Sequence, residues 1–423
     1  MAALAIDVTT LYLARSEAEK TADAAALAGA KAFVTSGFTS GGLGSPNSAS
    51  VQSLACNGSS GYADLQASAE ARQNKVGGAV PNTVTTSCNM GTPENPQITV
   101  TVQRTGLPTF FGRIFQQRAS QVSATARAEA YNPSGQDLPV SVASVKPWLI
   151  PNCDYSNTSR RSRNPRCPGN ADYFLDPNNN YSVANRGRFI GQTLRLQQLL
   201  PGIIPVNLAN SYYALNMPVS ASSLSCPAAA AVSCSQVNAS SPGYFESVAC
   251  ANSVKLTCGS SVDQGVSVYL LGGILAPPSA SEAAMCLIHA NGYGDGQGQD
   301  SFNVPGRGNP ITIDGGANNP DVYLQSATNI SRSDSVVTVP IWDGNGLCSP
   351  GTGVLPVCSP FTIVGFMQLG VQRVQPGLLG ASEIDGVILN VAGCGDADGV
   401  GTTTVSGGAV APIPVRLIQP GGQ

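Results

Sequence analysis

The distribution of proline is the strongest constraint on what this chain can fold into. No proline occurs before Pro46, yet the whole sequence carries 30 prolines and 47 glycines. Residues 1–34, MAALAIDVTTLYLARSEAEKTADAAALAGAKAFV, are dominated by alanine, and their first glycine is Gly29. Alanine loses no side-chain entropy in a helix, whereas glycine and proline interrupt one. The chain therefore begins with one long helix and builds its remainder from short elements and turns.

Within the helix, Arg15 and Glu19 stand four residues apart and Glu17 and Lys20 three apart. Both spacings let opposite charges pair. Ala2 to Ala14 is nearly all apolar, broken by Asp7, Thr9 and Thr10. It is too short to span a bilayer, which takes about 20 apolar residues. Such a segment reads as the outer half of a spanning helix that continues into a water-exposed half. A stripe of small residues, Ala14, Ala18, Ala22, Ala25, Gly29 and Ala32, steps by four, four, three, four and three. One straight face thus bears nothing larger than a methyl group. It lets another backbone approach to the low end of the ~8–10 Å range for helix pairs. The stripe packs either on the chain's own domain or on a partner subunit.

The order Asp7, Tyr12, Arg15 and then Ala22-Asp23-Ala24-Ala25-Ala26-Leu27-Ala28-Gly29-Ala30 resembles the N-terminal signature of the TadG-like family. The resemblance is specific over about thirty residues and loose over the small domain C-terminal to them. It implies a signature straddling the end of a membrane helix, with the remaining chain outside the cytoplasm. It also implies a part in assembling or anchoring Flp (Tad) pili, with pilus or secretion-system subunits as partners and no enzymatic role. The sequence as given lacks the inner half of such a helix and its basic flank. The expectation is a native start upstream of Met1 or a lost N-terminal segment. The membrane then becomes a partner through that upstream part, and anchoring would be to the inner membrane.

Beyond the helix, residues 35–61 are rich in Gly and Ser and read as a loop. Ala63 to Lys75 reads as a short helix, Ile98 to Gln103 and Gln121 to Ala130 as alternating strands, and Pro108 to Phe115 as an apolar helix opened by its proline. Phe110, Phe111 and Phe115 are candidates for that unit's core. The expected fold is α+β: a long helix on a small, pilin-like sheet over residues 1–131, then a β-rich, loop-rich region over 132–423. In the second region, Val140 to Val145, Val266 to Leu271, Val336 to Trp342, Phe361 to Gln372 and Ile384 to Val391 read as strands of an antiparallel architecture. Gly365 and Gly370 inside one of these runs point to bulges or close backbone approach.

Twelve cysteines with no CxxC pair favour disulfides over zinc, and hence an extracytoplasmic compartment. Local spacing points to Cys56–Cys88, Cys153–Cys167 and Cys348–Cys358, and leaves Cys286 and Cys394 for a long-range pair. Cys226, Cys234, Cys250 and Cys258 lie close together without a preferred pairing.

Little chemistry is written in the motifs. His289 is the single histidine, and it lies beside Cys286 in an apolar stretch that suits a structural role. There is no GxSxG elbow, Walker loop, HExxH, dinucleotide fingerprint or S-x-x-K. Nor is there the D-x-S-x-S loop of the von Willebrand A-type domain that some TadG-like proteins carry. Asp295 with Asp300, and Asp396 with Asp398, offer oxygens for calcium, but ordinary Asp-Gly turns are the simpler reading. The expectation is no catalytic residue, no cofactor and no metal. A net charge of −3 excludes nucleic acid as the main partner. Arg160, Arg161, Arg163 and Arg166 form a solvated loop or meet an anionic glycan or lipid. The overall expectation is a non-enzymatic protein of the cell envelope, periplasmic or surface-exposed. The alternative is a secreted or surface adhesin-like binding module.

Overall fold

The computed structural model describes residues 2–42, 44, 47–92, 95–109, 119–132, 141–154, 172–198, 211–215, 217, 219–226, 234–238, 240, 242–262, 279–306, 309–330, 332–343, 361–376, 382–394 and 413–418. Two compact units divide the chain. The first comprises Met1–Thr39, Leu43–Asn132 and Ile413–Gln423, the second Ser40–Gly42 and Pro133–Pro412. The second unit is thus inserted in the sequence of the first.

In the first unit, α1 (Ala2–Thr35) is the long helix anticipated from alanine content, and α2 (Ala49–Ala55) and α3 (Tyr62–Gln73) come after it. The sheet holds β1 (Thr83–Asn89), β2 (Gln97–Pro108), β3 (Ala119–Ala130) and the strand Val415–Ile418 in that spatial order. All its pairings are antiparallel. Alternation aims Ile98, Val100 and Val102 of β2 and Ala124, Ala126 and Ala128 of β3 into the interior, where α1 covers them. Glu129 of β3 is buried and takes an ion pair from Arg416 at 2.6 Å.

Three features differ from expectation. The Gly/Ser-rich stretch 35–61 contains α2, because Ala49–Ala55 holds enough helix formers for two turns amid poor ones. Thr83–Asn89 forms the strand β1, which its polar β-branched sequence and exposed edge position concealed. Pro108 is the last residue of strand β2, paired with Ala119, and does not open a helix. Its missing N–H is tolerated at a strand end. Phe110, Phe111 and Phe115 lie outside the described residues.

The second unit is organised around six strands. These are β4 (Trp148–Pro151), β5 (Thr193–Gln198), β6 (Ser211–Ala214), β7 (Val336–Trp342), β8 (Phe361–Pro376) and β9 (Ser382–Gly393). Their order is β8-β7-β4-β6-β5-β9, and β9 pairs back onto β8, so the ring closes. Closure removes the exposed edges that an open sheet would carry. The sheet is mixed rather than antiparallel: β7 with β4 and β5 with β6 are parallel. Parallel neighbours require long connections, and the sequence places residues 199–210 between β5 and β6 and residues 152–335 between β4 and β7.

Strands β7 and β8 are buried along almost their whole length. One face contributes Val337, Val339, Ile341, Met367 and Leu369 to the main core. Ile363 and Phe366 of β8 join a second apolar cluster with Val142 and Val145. That two-sided burial explains why these strands read as continuous apolar runs. Gly365 and Gly370 behave as anticipated: a Cβ at the first would stand 2.6 Å from the Ala392 carbonyl, and one at the second 2.3 Å from the Phe302 ring. The register shifts between Gln368 and Leu369, beside the second glycine.

The described disulfides are Cys56–Cys88, Cys226–Cys250, Cys234–Cys286 and Cys258–Cys394. The first is the pair expected from spacing. The Cys286–Cys394 pairing is corrected, since Cys286 takes Cys234 and Cys394 takes Cys258. The physical reason is placement: Cys286, on the helix Ser279–Leu287, shares the main core with Cys234, whereas Cys394, just past the end of β9, shares the second apolar cluster with Cys258. Cys153 is disulfide-bonded, but its expected partner Cys167, and the pair Cys348 and Cys358, lie outside the described residues.

Candidate functional site

Helix α1 changes character along its length. From Ala14 onward the small-residue stripe is buried, with Ala18, Ala22 and Ala25 at 0% exposure. The stripe rests within its own unit, against α3 and the sheet. Gly29 marks the tightest approach: a Cβ there would come within 2.7 Å of the Ile98 side chain and 3.2 Å of the Ala63 carbonyl. Of the two readings of the stripe, the intramolecular one therefore holds.

Arg15 and Glu19 form the expected ion pair at 3.1 Å. Glu17 does not reach for Lys20; it accepts a hydrogen bond from the Gly77 N–H at 2.7 Å. At the base of α3, the buried carboxylate of Asp64 accepts the backbone N–H groups of Asn57, Gly58 and Gly61 at 2.8–3.1 Å and the Thr86 hydroxyl at 2.6 Å. It lies beside Cys56 and Cys88, the one grouping of three metal-ligand side chains among the described residues. The disulfide joining those cysteines leaves no thiolate to bind a cation.

Before Ala14, α1 presents large apolar side chains to solvent. Ile6 is 50% exposed, Val8 57%, Tyr12 75% and Leu13 59%. At about 100° per residue, Val8 and Tyr12 fall on one side of the helix and Ile6 and Leu13 on the other. Between Ile6 and Leu13, Asp7 alone is buried. A helix segment that exposes four large apolar side chains over about half of its circumference matches a low-dielectric or protein environment better than water. Among the described residues, no helix is long and apolar enough to cross a membrane.

The remaining sequence candidates disperse. His289 is buried and its Nε2 lies 3.1 Å from Asp334 Oδ2. Asp295 pairs with Arg373 at 2.8 Å. Asp300 accepts hydrogen bonds from the Gly316 N–H, the Asn319 amide and the Ser333 hydroxyl. Those two carboxylates therefore tie their loop to β8 and to the segment 316–333. Asp396, Asp398 and the arginines 160, 161, 163 and 166 lie outside the described residues. Sequence reasoning passed over Lys146, which is buried in the second unit; the only signal was its place inside an apolar run, Val145 to Ile150.

The first unit is a helix-on-sheet α+β module. Residues 1–32 match the family model described as putative Flp pilus-assembly TadE/G-like. No curated protein and no solved structure matches the chain. The match ends within α1, so it speaks for the helix and not for the inserted second unit.

Proposed function

We propose that this protein is a non-enzymatic, cell-envelope component of a Tad/Flp-type pilus or secretion apparatus, docked through the start of α1 to membrane or pilus subunits. The observation that carries the reading is a coincidence on one element. The stretch that matches the pilus-assembly family, residues 1–32, contains the four large apolar side chains, Ile6, Val8, Tyr12 and Leu13, that α1 exposes opposite its buried face. The disulfides support an oxidising compartment for the body of the protein. Partners in this reading are other subunits of the apparatus.

The test replaces Ile6, Val8, Tyr12 and Leu13 together by Gln, a good helix former. All four side chains are half or more exposed, so thermal unfolding should be unchanged. Sedimentation with the envelope fraction and co-purification with pilus components should both be lost. A variant that keeps both associations would remove the helix start from the docking surface and overturn the proposal.

A further inference from the structure

The second unit contains a cavity of about 340 Å³ lined by Ser144, Lys146, Ser225, Cys226, His289 and Asp334, with apolar walls from Leu287 and Val337. Lys146 is 3% exposed. Its Nζ donates to the Cys250 carbonyl at 2.7 Å, and no described carboxylate forms an ion pair with it. Cys250 is itself fixed by its disulfide to Cys226. An amine carries up to three N–H donors, so one neutral carbonyl leaves most of its bonding capacity unused. A buried lysine head group with no carboxylate in direct contact is rare, because burial penalises the ammonium form.

The same lining holds a hydrogen-bonded pair. His289 Nε2 and Asp334 Oδ2 are 3.1 Å apart, with Asp334 at the exposed rim. Hydrogen bonding to His289 holds the Asp334 carboxyl below its ordinary range. Two residues lining the same cavity, Ser144 and His289, have φ of 56° and 57°. That left-handed conformation is uncommon for residues with a Cβ and collects at functional sites. The Ser144 hydroxyl oxygen accepts the Asn252 N–H at 3.1 Å, which leaves its own hydrogen to donate.

We propose that this cavity binds a small aldehyde or ketone, held covalently and reversibly as an imine on Lys146 Nζ. One N–H of the neutral amine stays on the Cys250 carbonyl while the lone pair adds to the carbonyl carbon. The C–N bond forms, both amine hydrogens pass to the carbonyl oxygen, the one held by the Cys250 carbonyl last, and the C–O bond breaks to release one water as the C=N bond closes. Amine plus carbonyl compound gives imine plus water, with no change of oxidation state. His289 lines the same cavity and is assigned proton exchange with the departing oxygen, with Asp334 orienting its ring. Burial pushes the Lys146 amine down to about 7, with Asp334 acting in the opposite direction. The amine is thus substantially nucleophilic at neutral pH, whereas an ordinary lysine is neutral in only about four molecules per ten thousand.

The test uses the full chain with its disulfides intact. Glycolaldehyde and cyanoborohydride at pH 7 trap imines as secondary amines, and peptide mapping compares Lys146 with the exposed Lys20, Lys31, Lys75 and Lys255. Lys146 should label at least about tenfold faster, and its rate should fall as pH drops below about 7 and the amine protonates. The titratable groups that share the cavity with it are His289 and Asp334. Asp334→Asn should slow aldehyde capture while acetylation of Lys146 by acetic anhydride proceeds at least as fast as before. Acetylation without aldehyde capture would show an accessible amine that takes no carbonyl compound, and overturns the proposal. Protection of Lys146 from both reagents would overturn it as well, by showing that the cavity admits neither.

Discussion

Asp385 has a fully buried carboxylate held by two arginines, Arg195 Nε at 2.8 Å and Arg373 Nε at 2.7 Å, with Gln375 at 3.2 Å. Burial alone would raise its pKa, but the hydrogen bonds from Arg195 and Arg373 outweigh burial and hold it below the ordinary range. Asp385→Asn removes the charge and leaves two guanidinium groups to find water. Both arginines are partly exposed, at 49% and 30%, so the cost should be about 2–4 kcal/mol, at or below the usual figure for breaking a buried pair. Urea unfolding measures it. The pH dependence has a definite sign. The folded pKa is depressed, so the contribution is fully present above the unfolded value of about 4 and is lost as pH falls through the lower folded one. The gap between wild type and variant should therefore be constant above pH ~5 and close on acidification. A gap that widens in acid would mean that the arginines do not set this carboxyl. Neither this network nor the Lys146 cavity was legible in the sequence. Asp385 was visible as a charge within a strand-like run, and Lys146 as one of five lysines. Their partners lie up to 190 residues away, as Arg195 does from Asp385, and only closure of the strand ring brings them together.

Helix α1 was legible because alanine content and the absence of proline act locally, within the span of one element. The neighbour of its small-residue stripe was not, because small side chains announce a close approach without naming the partner. Burial of Ala22 at 0% exposure inside its own unit now sets the outcome of Ala22→Leu. Three added carbons must fit where none has room, at a cost of about 1–3 kcal/mol. Leucine is nearly as good a helix former as alanine, so propensity does not mask the effect. The variant's melting temperature should fall by several degrees in scanning calorimetry. Unchanged melting with lost association to pilus components would instead return the stripe to a partner subunit. The same locality explains the errors elsewhere. Pro108 looked like a helix opener because Phe110 and Phe111 come just after it, yet its pairing with Ala119 is decided by the register of two strands. β1 was missed because Thr83–Asn89 is an exposed edge strand whose alternation buries little.

At the scale of the molecule, the disulfides bind segments that sequence distance keeps apart, and spacing fails there as a guide. Cys56–Cys88 closes a separation of 32 residues within one unit, and nearness in sequence predicted it. Cys258–Cys394 closes 136 residues, and its partner choice depends on β8 carrying the neighbouring segments into contact. Gly259, next to Cys258, donates its N–H to the Ile363 carbonyl of β8, and the Cys394 N–H donates to the Val364 carbonyl of the same strand. One strand therefore positions both half-cystines. Cys226–Cys250, by contrast, closes only 24 residues. If cross-linking acts chiefly by restricting the unfolded chain, stabilisation grows as about 1.5RT times the logarithm of loop length. The longer loop should then be worth about 1.5 kcal/mol more than the shorter one. The double variant Cys258→Ala with Cys394→Ala should consequently lose more stability than Cys226→Ala with Cys250→Ala. The comparison is made by guanidinium unfolding without reductant, after intact-mass measurement confirms that the other bridges remain. Both cysteines of the longer loop are buried but only Cys250 of the shorter one, so the cost of the vacated volume adds to the same order. An equal or reversed order would show that native packing around Cys250, the residue whose carbonyl anchors Lys146, outweighs chain entropy in this fold.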